Sequence, residues 1–208
     1  MGPKSALDAS SYQHPDGSEF YRRKIERILR ILAKQGYEYD TLSSHPVSFF
    51  ADQDPWGHVQ APQYTSIATT CVYRLFQSFE EVLGDRLFED LFRSRGVGVV
   101  TNRYSTKIRR PVKYPDLLIT GIRIEGVRRD RFFSRIVNWS CAQDAVVSET
   151  DCSHVFFHHR SGSPVDLSRE EDGWKKLHPV LQERCDASAK KWRAAEPETG
   201  SKSMAAKL

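Results

Sequence analysis

The chain changes from helical to strand periodicity at Gly96, and that switch limits its architecture more than any other feature. Before it, Tyr64, Ile67, Ala68, Cys71, Val72, Leu75, Phe76, Phe79 and Val82 recur at i, i+3, i+4 spacing, which predicts one long helix. Pro62 suits its first turn, and Gly84 is expected to end it, with a short amphipathic turn to follow around 87–92. The apolar stripe is wide, so the helix has to be buried deeply. After Gly96 come four stretches rich in Val, Ile, Thr, Phe and Tyr, at 97–108, 117–127, 131–140 and 145–159. The connections at 128–130 and 142–144 are short enough to make these strands antiparallel hairpins. Residues 47–51 are expected to add a short strand ahead of the helix. The expected class is α+β, with one antiparallel sheet of about five strands wrapped around a long central helix.

The flanks are less constrained. Residues 1–17 are rich in Ser, Gly, Pro and Asp and read as a disordered tail. Within 18–45, Tyr21, Ile25, Ile28, Leu29 and Leu32 predict an amphipathic helix closed by Gly36, with Arg22, Arg23, Lys24, Arg27 and Arg30 on its other face. Packing on its own domain is the preferred role for that helix, ahead of contact with a membrane surface. A main domain is expected over 46–167 and a polar C-terminal helix over 168–193, broken or kinked at Pro179. Residues 194–208 are expected to form a flexible tail.

At 208 residues the chain suits one domain plus tails, and its net charge of +4 does not call for nucleic acid. No apolar run approaches the roughly 20 residues of a membrane span. No secretory leader or mitochondrial transit peptide is expected, because the first residues lack an apolar core and carry Asp8, Asp16, Glu19 and Glu26. Cys71, Cys141, Cys152 and Cys185 match no zinc or disulfide spacing, so no metal site is expected and the thiols read as reduced, in an intracellular protein. Asn138-Trp139-Ser140 is a formal glycosylation triplet inside a strand pattern and reads as chance.

Three short motifs sit on these elements in order. The first is Asp52-Gln53-Asp54-Pro55-Trp56-Gly57-His58-Val59, followed by Tyr64 in the first turns of the helix. The second is Pro111-Val112-Lys113-Tyr114-Pro115-Asp116-Leu117, and the third Gly162-Ser163-Pro164. Together they resemble the 4-hydroxybenzoyl-CoA thioesterase family of hot-dog proteins, over about residues 47–167. Pro115 stands where that family usually has Gly, and Gln60-Ala61 where it commonly has Asn-Asn.

The resemblance implies a hot-dog fold and an acyl-CoA thioesterase needing no cofactor, coenzyme A being part of the substrate. It implies that Asp54 is the catalytic carboxylate, as nucleophile or as general base for water. It places an oxyanion donor at the helix start, the N–H of Ala61 or Gln60 or of a residue beyond Pro62. His58 would orient Asp54 or water, and Trp56, Gly57, Gln60 and Tyr64 would line the substrate site. The blander alternatives stay open. Asp52 and Asp54 could cap the loop, His58 could be structural, and Trp56 could pack in the core or in a dimer contact. Arg128, Arg129 and Arg131 cluster at a hairpin, and Arg109, Arg110 and Arg160 flank other strand ends; these are candidates for the coenzyme A phosphates, against ordinary solvated charge. A homodimer or homotetramer is expected, since a single wrapped sheet leaves open edges. The chain ends Ala206-Lys207-Leu208, a variant of the Ser-Lys-Leu address, so a peroxisomal import receptor is an expected partner and the cytoplasm the alternative location. The competing functions are a hot-dog hydratase or dehydratase, whose usual D-x-N-P-x-H fits less well, and a non-catalytic acyl-binding module.

Overall fold

A computed structural model describes residues 19–195. Residues 1–18 and 196–208, with the Ala206-Lys207-Leu208 terminus, lie outside the described residues. The elements are α1 (Glu19–Lys34), a 3-10 turn (Tyr39–Thr41), β1 (Ser43–Pro46), α2 (Ala61–Gln77), α3 (Glu80–Phe92), β2 (Val97–Ile108), β3 (Leu117–Arg128), β4 (Arg131–Ser140), β5 (Ala145–His158), a second 3-10 turn (Leu167–Arg169) and α4 (Asp172–Ala195). The five strands form one sheet in the order β1-β3-β4-β5-β2, antiparallel throughout. It curls around α2, the hot-dog arrangement expected from the motifs.

Both faces of the central strands are buried, which explains their nearly unbroken apolar runs. Along β3, Leu118, Ile122 and Ile124 share clusters with α2 residues such as Ile67, Cys71 and Leu75. The alternate residues Leu117 and Ile119 pack with Ile28 and Leu32 of α1 on the outer face. The basic amphipathic helix therefore does pack its stripe on its own domain. Asn138 lies on β4 and is 1% exposed, so the glycosylation triplet is inaccessible.

The structure corrects several expected boundaries. The strand expected at 47–51 lies at Ser43–Pro46, and 48–52 turn instead, because Asp52 folds back to accept the Ser48 N–H. The long helix stops at Gln77 rather than Gly84. There the Ser78 hydroxyl bonds back to Leu75 O at 2.7 Å and accepts from Arg184 Nη1 at 2.7 Å, which pulls the last turn out of helical register. Phe79, just before α3, and Leu83 within it fill the same cluster, so the apolar period runs on across the break. Gly84, at φ 70°, kinks α3 instead of ending a helix, and 87–92 belong to α3. The strand expected to end at residue 127 runs to Arg128, and the one expected to end at 159 stops at His158. Helix α4 runs unbroken through Pro179 and includes Ala194 and Ala195. The carbonyl that Pro179 leaves free belongs to Lys175, an exposed residue where water can meet it.

The path of α4 shapes the molecule's edge. Strand β1 pairs only with Leu117–Thr120 of β3. Beyond it, the Glu38 N–H donates to Ile122 O at 2.9 Å. There α4 passes alongside, with Leu181 and Cys185 in the cluster of Ile122 and Ile124 on the α2 face. Trp192 stacks on Arg123 of the outer face, 3.9 Å from guanidinium carbon to ring centroid. Tyr37 stands against the same guanidinium at 5.1 Å, and Glu125 pairs with it at 2.7 Å.

Candidate active-site loop

Residues 52–60 form a small closed loop between β1 and α2. Gln53 and Val59 make an antiparallel bridge, Asp54 N donates to His58 O at 2.7 Å, and Gly57 N to Asp54 O at 3.0 Å. Gly57 sits at φ 77°, in the left-handed region that glycine enters without strain. Asp54 Oδ1 accepts from Trp56 N and His58 N, both at 2.9 Å, an Asx turn that fixes the carboxylate. Among the described residues, Oδ2 of Asp54 carries no hydrogen bond.

Asp52 does the anchoring. It is 4% exposed, and its Oδ2 accepts from Ser48 N at 2.6 Å and contacts His45 Nε2 at 2.9 Å. Its carbonyl accepts the Gln60 N–H at 2.8 Å. Three amides brace the rest: Gln53 Nε2 to Phe49 O at 3.2 Å, Gln60 Nε2 to Gln53 O at 2.8 Å, and Gln63 Nε2 to Ala51 O at 3.0 Å. His45 and these glutamine braces were not visible in the sequence, because placing the strand at 47–51 puts His45 outside any element.

The structure sorts the expected site residues. Gln60 N–H is spent on Asp52, Pro62 has none, and Gln63 N–H goes to Gln60 O, so Ala61 N–H is the open donor where α2 begins. His58 meets Asp54 through its backbone. Its ring makes no hydrogen bond among the described residues. Trp56 is 78% exposed, which excludes a place in this chain's core, and Phe50 beside the loop is 69% exposed. Tyr64 is buried and its hydroxyl accepts from Val112 N at 3.2 Å, so it ties α2 to the segment before β3. Burial pushes its phenol pKa up.

In that segment Asp116 is 2% exposed and accepts from Leu117 N and Ala142 N, each at 2.8 Å, and from the Ser140 hydroxyl. Burial raises its pKa, and those three bonds oppose the rise. The motif aspartate thus pins the start of β3 to the end of β4.

Arg128, Arg129 and Arg131 are not brought to Asp54 within one chain. Strand β3 begins beside the loop and ends at Arg128, and its 12 residues at about 3.3 Å each separate the two by roughly 35 Å. Each of the three is already engaged: Arg131 with Asp130 at 2.6 Å, Arg129 with Asp166 at 3.8 Å, and Arg128 over the Phe133 ring at 5.4 Å. A hollow of about 340 Å³ on the outer face, lined by Arg123, Glu125, Arg135 and Trp192, is also remote from the loop. Among the described residues no cluster of three or more His, Cys, Asp or Glu could hold a metal, and no helix is long and apolar enough to cross a membrane.

Comparison with known proteins bears on this loop and its scaffold. The model of the thioesterase-like superfamily matches residues 49–184, from the loop to well into α4. A search of curated proteins finds no match. Among solved structures, a DHNA-CoA thioesterase from Staphylococcus aureus is similar with a TM-score of 0.55 at 11% identity, over 68% of this chain and 90% of that one. A 1,4-dihydroxy-2-naphthoyl-CoA thioesterase from Synechocystis gives 0.54 at 15%, over 68% and 96%. A thioesterase from Thermus thermophilus, complexed with coenzyme A and Zn, gives 0.50 at 22%, over 71% and 92%. At such identities the likeness concerns the fold.

Proposed function

The chain belongs to the thioesterase-like superfamily and is a thioester hydrolase, and on that premise we propose that it hydrolyses acyl thioesters of coenzyme A, with Asp54 as the reacting carboxylate. The observation that carries this reading is the division of labour in that carboxylate: Oδ1 is held by two backbone N–H groups and Oδ2 is left over. A carboxylate fixed in this way loses little freedom on reaching the transition state. Ala61 N–H and the positive end of α2 supply the partner charge for the oxygen of the tetrahedral intermediate. Either Oδ2 attacks the carbonyl carbon, the coenzyme A thiolate leaves, and water then hydrolyses the mixed anhydride to free acid and carboxylate, or Oδ2 takes a proton from a water that attacks the carbonyl in its place. Similar structures named as CoA thioesterases support the choice of leaving group. The test is thiol release from a panel of acyl-CoAs, with Asp54→Asn alongside. Hydration of an enoyl-CoA without thiol release points to a hydratase instead, and acyl-CoA binding without turnover to a carrier module.

We further propose a dimer paired side by side through β2. Among the described residues no strand pairs with the outer edge of β2, which carries Val100 at 45% and Ile108 at 42% exposure. Trp56 and Phe50 expose large apolar surface beside a loop too open to exclude water by itself, and a second copy would close it. The terminal Ala206-Lys207-Leu208 is proposed as a peroxisomal address. A fluorescent protein carrying residues 197–208 that stays in the cytosol would contradict it.

A further inference from the structure

Between β2 and β3, residues 109–116 are bound to the Asp54 loop and its helix at three points. Val59 N donates to Val112 O at 2.8 Å, Val112 N to Tyr64 Oη at 3.2 Å, and Tyr114 N to Gln53 Oε1 at 3.0 Å. The far side of the segment is held as well. Arg109 N and Arg110 N reach Val147 O at 2.7 and 3.2 Å, and Gln143 Nε2 donates to Pro111 O at 2.8 Å. The backbone is therefore fixed, while the side chains of Arg110 and Lys113 are exposed and, among the described residues, pair with no carboxylate. Their neighbour Glu149 is taken by Arg109 at 2.6 Å, so it does not neutralise them. The hairpin arginines differ on both counts, being remote from Asp54 and already engaged. A paired cation has to give up its partner to take a phosphate, and an unpaired one on a fixed backbone does not.

We propose that Arg110 and Lys113 bind the phosphate groups of coenzyme A in the same chain whose Asp54 meets the thioester. This rests on the acyl-CoA reading above and assigns the other end of that substrate. The spacing suits a ligand whose anionic end is held off from its reacting sulfur by the pantetheine arm. Val112 lies one strand spacing, about 5 Å, from Val59, and two more residues carry Arg110 at most about 7 Å further, before its own side chain extends. Arg110 offers a planar fork that matches two phosphate oxygens, and Lys113 a mobile point charge.

The experiment measures coenzyme A and adenosine 3′,5′-bisphosphate binding to the full chain by calorimetry, for the wild type, for Arg110→Ala/Lys113→Ala and for Arg128→Ala/Arg129→Ala. Both side chains are exposed, so the melting temperature should hold. The double variant should bind both ligands at least tenfold more weakly. Its KM should rise tenfold for an acyl-CoA and stay in place for the acyl-pantetheine, which has no nucleotide. Wild-type affinity in the double variant overturns the proposal, as does an equal rise in KM for both substrates. So does a loss confined to Arg128→Ala/Arg129→Ala, or a wild type that binds neither ligand. If the wild type binds coenzyme A yet releases no thiol from any acyl-CoA, the hydrolase reading fails and the binding comparison still decides the phosphate site.

Discussion

Asp54 serves a turn with one oxygen and, on the proposed chemistry, a reaction with the other. The two uses can be separated. Asp54→Asn keeps an amide oxygen to accept from Trp56 N and His58 N while removing the charge. Its melting temperature should stay within a degree or two, and kcat for thioester hydrolysis should fall by about 10²–10⁴-fold, the usual worth of a positioned acid or base. A stable variant with near-normal turnover would remove Asp54 from the mechanism. A second residue-scale consequence concerns His154, which is fully buried, stacked on Phe132 at 4.4 Å and held between the hydroxyls of Ser134 and Thr101 at 2.8 and 2.9 Å. Burial lowers its pKa from 6.5 to about 3. The unfolded chain takes up this proton first as the pH falls. Its ionisation therefore has no effect on stability above about pH 6.5, and it destabilises the fold progressively from there down to about pH 3, by at most about 1.4 kcal/mol per pH unit. Urea midpoints should drop between pH 7 and 5.5. The drop should be shallower in His154→Leu, even though that variant is less stable overall.

At the scale of elements, α1 and α4 meet where Gly36 closes α1. Gly36 has φ 86°, and a Cβ there would lie 2.5 Å from the Ser188 carbonyl oxygen of α4. Gly36→Ala combines a left-handed backbone with a clash against main chain that cannot swing away. It should cost about 1–2 kcal/mol or more, a fall of roughly 2–8 °C in melting temperature. A thermal scan that leaves the variant unchanged would mean that the two helices are not held together there. The same region shows what a sequence can reveal. Gly36 was readable as a helix stop because the signal is local, and the strands from 97 to 158 were readable because their Val, Ile, Thr, Phe and Tyr content and short connections are local too. The end of α2 was not, since Phe79 and Leu83 keep the apolar period while the Ser78 hydroxyl and Arg184, more than 100 residues on, decide where the helix breaks. In the loop, the motif pointed to Asp54, yet the His45–Asp52 contact depends on a strand register that no local pattern specifies. The unpaired state of Arg110 and Lys113 likewise depends on which carboxylates other segments claim, Glu149 above all.

At the scale of the whole molecule, the paired state proposed above predicts a light-scattering mass twice that of the chain at micromolar concentration. Val100→Lys/Ser105→Lys places like charges on the outer edge of β2 and should return the mass of one chain. Turnover should fall with it if the second copy closes the Asp54 loop. A wild type that is already monomeric would remove β2 as an interface and leave Trp56 without a cover.

The course of α4 beside β3 then decides how far such pairing can go. A sheet with two unlike free borders can add copies head to tail, each addition exposing a border for the next, and the product is a filament. Here α4 runs beside β3 beyond the short β1, and among the described residues β2 is the long border left to meet a copy of itself. Like meeting like about a twofold axis uses up both borders in a single event. On the proposed pairing, growth through β2 would stop at two copies, with α4 beside β3 and outside the contact.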